Sequence, residues 1–182
     1  MAVIEKSLGE LNISPIVYSY IDGKEQFSFR PERITPAMTQ YVHSRKNDFR
    51  KNPLNADEKL FQGNVFYFTC IGKEEDLLPA YKKLAGSYNC LYSKDIYDSQ
   101  QWLEIMPKQV SKANAALQLK KHLLCEKIIS FGDGINDISM FEISDECYAV
   151  ENAMAELKQI ATAVIPGNNE DGVAKWLAQN VK

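Results

Sequence analysis

The chain has 182 residues, of which 45% are hydrophobic and 25% charged, and its formal net charge is -3 at pH 7. That length allows one large or two small domains, and the composition is that of an ordinary globular protein. The slight net negative charge and the lack of a basic cluster argue against nucleic acid or an anionic membrane as the main partner. We also expect no membrane insertion, because no apolar run approaches the length of a membrane span and residues 1–14 lack a signal-peptide pattern.

The cysteines are scattered and form no C-x-x-C pair, and the chain has only two histidines that could join them in a zinc site. This pattern favours reduced thiols in the cytoplasm over a zinc site or disulfides. The cysteines are Cys70, Cys90, Cys125 and Cys147.

The first 106 residues predict a module that mixes helices with strands. Apolar residues at helical spacing predict an opening helix that ends near Asn12, and Asp22-Gly23 between two β-rich runs predicts a hairpin. Thr35 and Pro36 predict the cap and first turn of a helix that continues to about Phe49. The remaining predicted elements are a loop over 50–58, a strand over 65–71, a helix over 73–86, and strands over 89–92 and 102–105.

From Val110 the pattern changes to a strict alternation of helices and strands, which predicts a parallel sheet with helices on both faces. Ser111 is predicted to cap the first of these helices, with Ala113, Leu117 and Leu124 along one stripe. We place the boundary between the two modules near Met106-Pro107. The later predicted elements are strands over 127–131, 147–150 and 163–166, and helices from about 135, from about 153 and over 171–180.

The turn after the first of these strands is the candidate functional site. Gly132 and Gly134 permit a tight turn, and Asp133 and Asp137 place two carboxylates where a strand ends and a helix begins. Ligands collect at the carboxyl ends of strands in open α/β sheets, and a carboxylate pair there suits Mg²⁺. The alternative is structural, a turn residue and a helix-start carboxylate, but it explains Asp137 better than it explains the pair.

The sequence from Trp102 to Pro107, then Val110-Ser111-Lys112, and then Phe131 to Asp137 resembles the haloacid dehalogenase (HAD) superfamily, and within it the Cof-type phosphatases. The resemblance implies an α/β fold with a HAD-like (Rossmannoid) parallel-sheet core and an α+β cap. Residues 1–106 would be the cap that sets substrate specificity, and residues 107–182 the C-terminal half of the core. It also implies Mg²⁺-dependent hydrolysis of small phosphorylated metabolites.

The resemblance assigns a role to each matching residue. Asp133 would hold Mg²⁺, with Asp137 supporting the ion directly or through water. Asn136 would contact the transferring phosphate or orient its neighbours. Lys112 would neutralise charge on the phosphate and nucleophile, and its place in the first turn of a helix is favourable only beside an anion. Gln109 and Ala113 stand beside this lysine where the family often has glycines.

The family's aspartate nucleophile lies in an Asp-x-Asp-x-Thr motif, which the 182 residues do not contain. The nearest imitation is the run from Tyr20 to Lys24, and its Asp22-Gly23 pair is better explained as a hairpin turn. Asp95 and Asp98 are three residues apart, which is the wrong spacing. We therefore expect the chain to be inactive alone, because the covalent step needs a nucleophile.

The strand over 127–131 is expected to lack a neighbour if the nucleophile strand is absent. An exposed parallel edge is a template for pairing with another chain. The sequence therefore predicts a homodimer or a partner that supplies the missing half, bound through this edge. The alternative function is a non-catalytic binding or interaction protein derived from a HAD phosphatase.

Overall fold

The computed structural model describes residues 2–94 and 100–181. The chain divides into two compact units, Met1–Lys108 and Gln109–Lys182. Within the described ranges, none of the helices combines the length and the apolar character needed to cross a bilayer.

The first unit is built on one sheet with the strand order β3-β2-β1-β4-β6-β5. Neighbouring strands run antiparallel, except that β2 and β3 are parallel. The described elements are α1 (Ala2–Glu10), β1 (Ile16–Ile21), β2 (Lys24–Phe29), α2 (Pro36–Ser44), β3 (Lys51–Pro53), β4 (Asn64–Gly72), α3 (Glu74–Leu84), β5 (Asn89–Lys94) and β6 (Gln101–Met106).

Alternation along the strands divides the core of this unit between the two faces of the sheet. Val17 of β1 packs with α1 and α3 on one face, whereas its neighbour Ile16 packs with α2 on the other. Successive side chains of a strand point to opposite faces of the sheet. Because neighbouring positions in β1 are both apolar, both faces of the sheet are covered by helices. The hairpin prediction is confirmed, because Asp22 and Gly23 join β1 to β2 with φ of 50° and 76°.

Two predictions for the first unit are wrong. The helix that begins after Thr35 ends at Ser44 rather than near Phe49. Asp48 accepts hydrogen bonds from the backbone N–H and the guanidinium of Arg50, so the chain turns there instead. The predicted loop over 50–58 contains β3, which pairs with β2. Such long-range pairing leaves no signal in three residues of sequence.

The second unit has the predicted alternation and a parallel sheet, which confirms the α/β fold. Its described strands have the order β7-β8-β9, and both neighbouring pairs are parallel. Its described elements are α4 (Lys112–Leu123), β7 (Ile129–Gly132), α5 (Ile138–Glu142), β8 (Glu146–Val150), α6 (Ala155–Ile160), β9 (Ala163–Ile165) and α7 (Gly172–Asn180), with 3-10 turns at Ile135–Asp137 and Asn168–Glu170.

Helix α4 is capped as predicted, but its apolar stripe is not buried. The Ser111 hydroxyl accepts a hydrogen bond from the backbone N–H of Asn114 at 3.1 Å. Ala113 is buried, whereas Leu117 is 44% exposed and Leu124 is 88% exposed. Helix α4 packs against α5 and the turn before it. Helical spacing alone could not show that this contact covers only the start of the stripe.

Candidate active site

The turn between β7 and α5 is shaped by its first glycine. A Cβ at Gly132 would lie 2.7 Å from the Cβ and Oδ2 of Asp137, so only glycine lets the Asp137 side chain fold back against the end of β7. Asp133 follows directly and is exposed. The turn therefore separates its two carboxylates, one held inward and one open to solvent.

The Asp137 carboxylate is buried and has three hydrogen-bond donors. Asp137 is 1% exposed. Its Oδ2 accepts from the backbone N–H groups of Asp133 at 3.0 Å and Gly134 at 3.1 Å, and its Oδ1 accepts from Lys112 Nζ. Burial raises the pKa of this carboxyl, but the bonds from Lys112 and the two amides outweigh burial and hold the pKa below its usual range. Asp137 therefore carries its negative charge at neutral pH.

Lys112 reaches this carboxylate from the first position of α4. The ion pair joins residues that are 25 positions apart, and the Lys112 side chain remains 49% exposed. A cation at a helix N-terminus is unfavourable unless an anion lies beside it, and Asp137 is that anion. The Lys112 side chain therefore remains half open to solvent beside the buried carboxylate.

The structure brings together the four residues that the sequence singled out, in one turn and the helix end beside it. Asn136 is exposed, and a Cβ at Gly134 would lie 2.9 Å from its Oδ1. Asp133 and Asn136 thus present a carboxylate and an amide to solvent next to the Lys112–Asp137 pair. The chemical roles of these residues remain predictions.

The loop that follows β8 contacts the turn and is itself joined to the loop that follows β9. The backbone N–H of Met154 donates to the carbonyl of Asp133 at 2.9 Å. The side chain of Asn152 accepts from the backbone N–H of Asn168 at 3.0 Å, which ties the two loops together. Sequence reasoning gave Asn152 no role. Two signals pointed to it: the run Glu151-Asn152-Ala153 occupies the place of a later signature of the Cof-type phosphatases that the sequence resembles, and Asn152 lies two residues after the predicted strand over 147–150.

The donor set fits part of a Mg²⁺ shell. Mg²⁺ is usually bound by one or two carboxylates together with water and phosphate oxygens. The exposed carboxylate of Asp133 offers such a ligand, whereas both oxygens of Asp137 already accept hydrogen bonds. Across residues 2–94 and 100–181, no group of three or more His, Cys, Asp or Glu side chains could hold a metal by itself.

The 182 residues contain no Asp-x-Asp-x-Thr run, and the acidic residues that come nearest to it lie elsewhere. Asp22 lies in the β1–β2 turn of the first unit, as expected for a hairpin residue. Asp95 and Asp98 fall outside the described residues. The described site therefore consists of a lysine, a hydrogen-bonded carboxylate, an exposed carboxylate and an exposed amide.

Comparison with known proteins places the chain in a family. The profile of haloacid dehalogenase-like hydrolases matches residues 5–177. The 5-amino-6-(5-phospho-D-ribitylamino)uracil phosphatase YwtE of Bacillus subtilis (strain 168) is 29% identical over 156 residues, which are 84% of this chain and 54% of that protein. The chain thus spans about half the length of this relative.

Solved structures show the same fold. A haloacid dehalogenase-like hydrolase from Bacteroides thetaiotaomicron superposes with a TM-score of 0.73 at 22% identity, over 98% of this chain and 65% of that one. The HAD subclass IIB sugar phosphatase BT4131 gives a TM-score of 0.73 at 17% identity, over 98% of this chain and 66% of that one. Because the family profile matches residues 5–177, the chain belongs to the haloacid dehalogenase-like hydrolases; it resembles the Cof-type phosphatases among them, and its fold is like that of the subclass IIB sugar phosphatase.

Proposed function

We propose that the chain supplies the cap and the C-terminal half of the core of a Mg²⁺-dependent phosphohydrolase that acts on small phosphorylated metabolites. Residues 1–106 serve as the cap that selects the substrate, and residues 107–182 as the core half. The observation that carries the proposal is the turn after β7, where Asp133 is open to solvent beside the Lys112–Asp137 pair. The name of the Bacillus subtilis relative, a phosphatase of a phosphorylated ribitylamino-uracil, supports this substrate class.

Each site residue has a distinct role in this proposal. Lys112 places its positive charge against the phosphoryl oxygens, and Asp137 orients that lysine. Asn136 donates a hydrogen bond to the phosphoryl group. Asp133 would provide one carboxylate ligand to Mg²⁺, and Asp137 would support the ion directly or through water. Bound Mg²⁺ stabilises negative charge on the phosphoryl oxygens.

The nucleophile comes from outside these 182 residues. The family reaction attacks phosphorus with an aspartate from an Asp-x-Asp motif, and this sequence has none. We infer that a separate segment that carries the motif pairs with β7, or that a second copy of the chain covers the same edge without supplying a nucleophile. This strand is at one edge of the described sheet, and its Ile129 is 37% exposed.

The second candidate function is a non-catalytic binding or interaction protein. The observation that favours it is the apolar surface of α4, where Leu119 is 58% and Leu123 is 62% exposed. Exposed apolar patches of this kind mark interaction sites in many proteins. This candidate predicts partner binding with no dependence on Asp133.

The decisive experiment measures Mg²⁺-dependent phosphate release from p-nitrophenyl phosphate. We expect no turnover by the chain alone. Turnover should appear when the chain is co-purified with the part of the Bacillus subtilis relative that lies outside the matched region. The Asp133→Asn variant should abolish that activity, whereas Asp145→Asn, an exposed carboxylate elsewhere in the same unit, should not. Asp133-dependent turnover by the chain alone would overturn the expected inactivity.

Pairing through β7 is tested by sedimentation. The Ile129→Lys variant places a charge on the β7 edge and should block association, since charged edge residues oppose strand pairing. Val164→Lys is the matched control, because Val164 is 50% exposed on β9, the other edge of the described sheet. A monomer that binds no complementing segment would contradict the pairing.

We also infer a reducing compartment, the cytoplasm, as the location. All four cysteines are free, and Cys70 and Cys147 are buried. A disulfide found by mass spectrometry in the native protein would contradict this inference.

A further inference from the structure

The first unit contains a cavity of about 590 Å³, and none of its lining residues has a named role in the proposed reaction. This volume lies in the range of small-molecule sites. Three segments form its wall: the end of α1 with the residues before β1, the loop between β2 and α2, and the loop between β3 and β4. Leu8 and Leu60 are buried in the wall, whereas its polar side chains include two arginines.

Arg30 holds part of the cavity wall in place with some of its guanidinium N–H groups and leaves others for a ligand. Its Nη1 donates to the carbonyls of Asn55 and Ala56, both at 2.8 Å, and its Nη2 donates to the carbonyl of Glu58 at 2.5 Å. These bonds fix the loop between β3 and β4. They use three of the five guanidinium N–H groups, and they are made to neutral acceptors. The Glu58 carboxylate accepts instead from the backbone and side-chain nitrogens of Asn55, at 2.7 and 2.9 Å.

Arg33 and Ser14 add further unused polar groups to the same cavity. Arg33 donates one bond, from Nη2 to Asn12 Oδ1 at 2.8 Å. Ser14 is 9% exposed, and its hydroxyl has no hydrogen-bond partner among the described residues. An unsatisfied buried hydroxyl is costly, so its presence in a cavity wall indicates a ligand or a small rearrangement that satisfies it. Ser14 and Arg33 also line an adjoining cavity of about 270 Å³.

We propose that this cavity binds a small organic anion, a carboxylate or a phosphate ester, that also carries hydroxyl or amino groups. The free N–H groups of Arg30 and Arg33 match a carboxylate or phosphate in geometry and charge. Glu5 and Asp57 are exposed in the same lining and accept hydrogen bonds from the hydroxyl or amino groups of the ligand. The cavity is lined by residues of the first unit.

The test is a titration of the full chain with inorganic phosphate and, separately, with citrate, followed by NMR shifts of assigned backbone amides. Saturable shifts are expected at Ser14, Arg33 and the loop between β3 and β4. Arg33→Gln should weaken this binding by about 10-fold or more, because it removes a charge-assisted bond. Arg45→Gln is the matched control, since the Arg45 guanidinium lies over the ring of Tyr41 instead. The control should bind as the wild type does.

The comparison of ligands and variants decides the proposal. Stronger binding of phosphate identifies a phosphate ester as the ligand, and stronger binding of citrate identifies a carboxylate. Phosphate shifts confined to Gly134 and Lys112 would place the anion in the second unit and overturn the proposal. Equal effects of Arg33→Gln and Arg45→Gln would also overturn it, because a loss of general positive charge would then explain the result.

Discussion

Replacing Asp137 with asparagine tests whether the buried carboxylate holds the site together. The amide keeps the shape of the carboxylate but has a single oxygen. If that oxygen faces the N–H groups of Asp133 and Gly134, the new NH₂ group meets the Lys112 ammonium. The two amide bonds then lose their charge assistance, about 0.5–1 kcal/mol each, and the half-exposed ion pair adds about 1 kcal/mol. We therefore expect the second unit to lose about 2–3 kcal/mol of unfolding free energy.

Urea unfolding monitored by the fluorescence of Trp176, in a Trp102→Phe background, measures this loss in the second unit. Asp133→Asn is the control. Its side chain is exposed and its backbone N–H still donates to Asp137, so it should change stability by less than about 0.5 kcal/mol. If Asp137→Asn were as stable as the wild type, or no worse than Asp133→Asn, the bonds to the Asp137 carboxylate would not carry the stability that we assign to them.

The difference in unfolding free energy between wild type and Asp137→Asn should also depend on pH. The pKa of Asp137 is lower in the folded chain than the value of about 3.9 expected when unfolded. Its stabilisation is therefore fully present above about pH 4 and is lost as the pH falls through the folded-state pKa. The stability gap between wild type and Asp137→Asn should narrow on acidification below about pH 4. A gap that widened there would refute the sign of the shift.

Three further predictions follow from the local geometry. Gly132→Ala should destabilise the second unit by about 1–3 kcal/mol in urea unfolding, because its Cβ would lie 2.7 Å from Asp137 atoms; an unchanged midpoint would contradict this. Asp133→Asn should change the unfolding free energy by less than about 0.5 kcal/mol, because the side chain is exposed. The same variant should lose the NMR shifts that Mg²⁺ induces in the turn, and retained shifts would exclude Asp133 as a ligand. Burial raises the pKa of the Cys70 thiol to about 12. A thiol reagent at mildly alkaline pH should therefore label the exposed Cys125 before Cys70, and equal labelling rates for the two cysteines would contradict that order.

Local signals predicted those parts of the fold that depend on neighbours in sequence. The Asp22-Gly23 turn, the caps at Thr35 and Ser111, and the alternation after Val110 each depend on a few adjacent residues. Parts that depend on distant partners were missed. Strand β3 exists because it pairs with β2, and the stripe of α4 stays exposed because α4 packs only near its start.

The sequence by itself determined which residues meet at the candidate site. A strand, two glycines and a helical period place Asp133, Asn136 and Asp137 in one turn, and the family resemblance adds Lys112. Only the tertiary structure decided how the two carboxylates differ. Asp137 folds back over Gly132 to two backbone amides and to a lysine 25 residues away, while Asp133 remains exposed. Spacing fixes the order of residues along a turn, but the direction of each side chain depends on which donors the rest of the fold brings within reach.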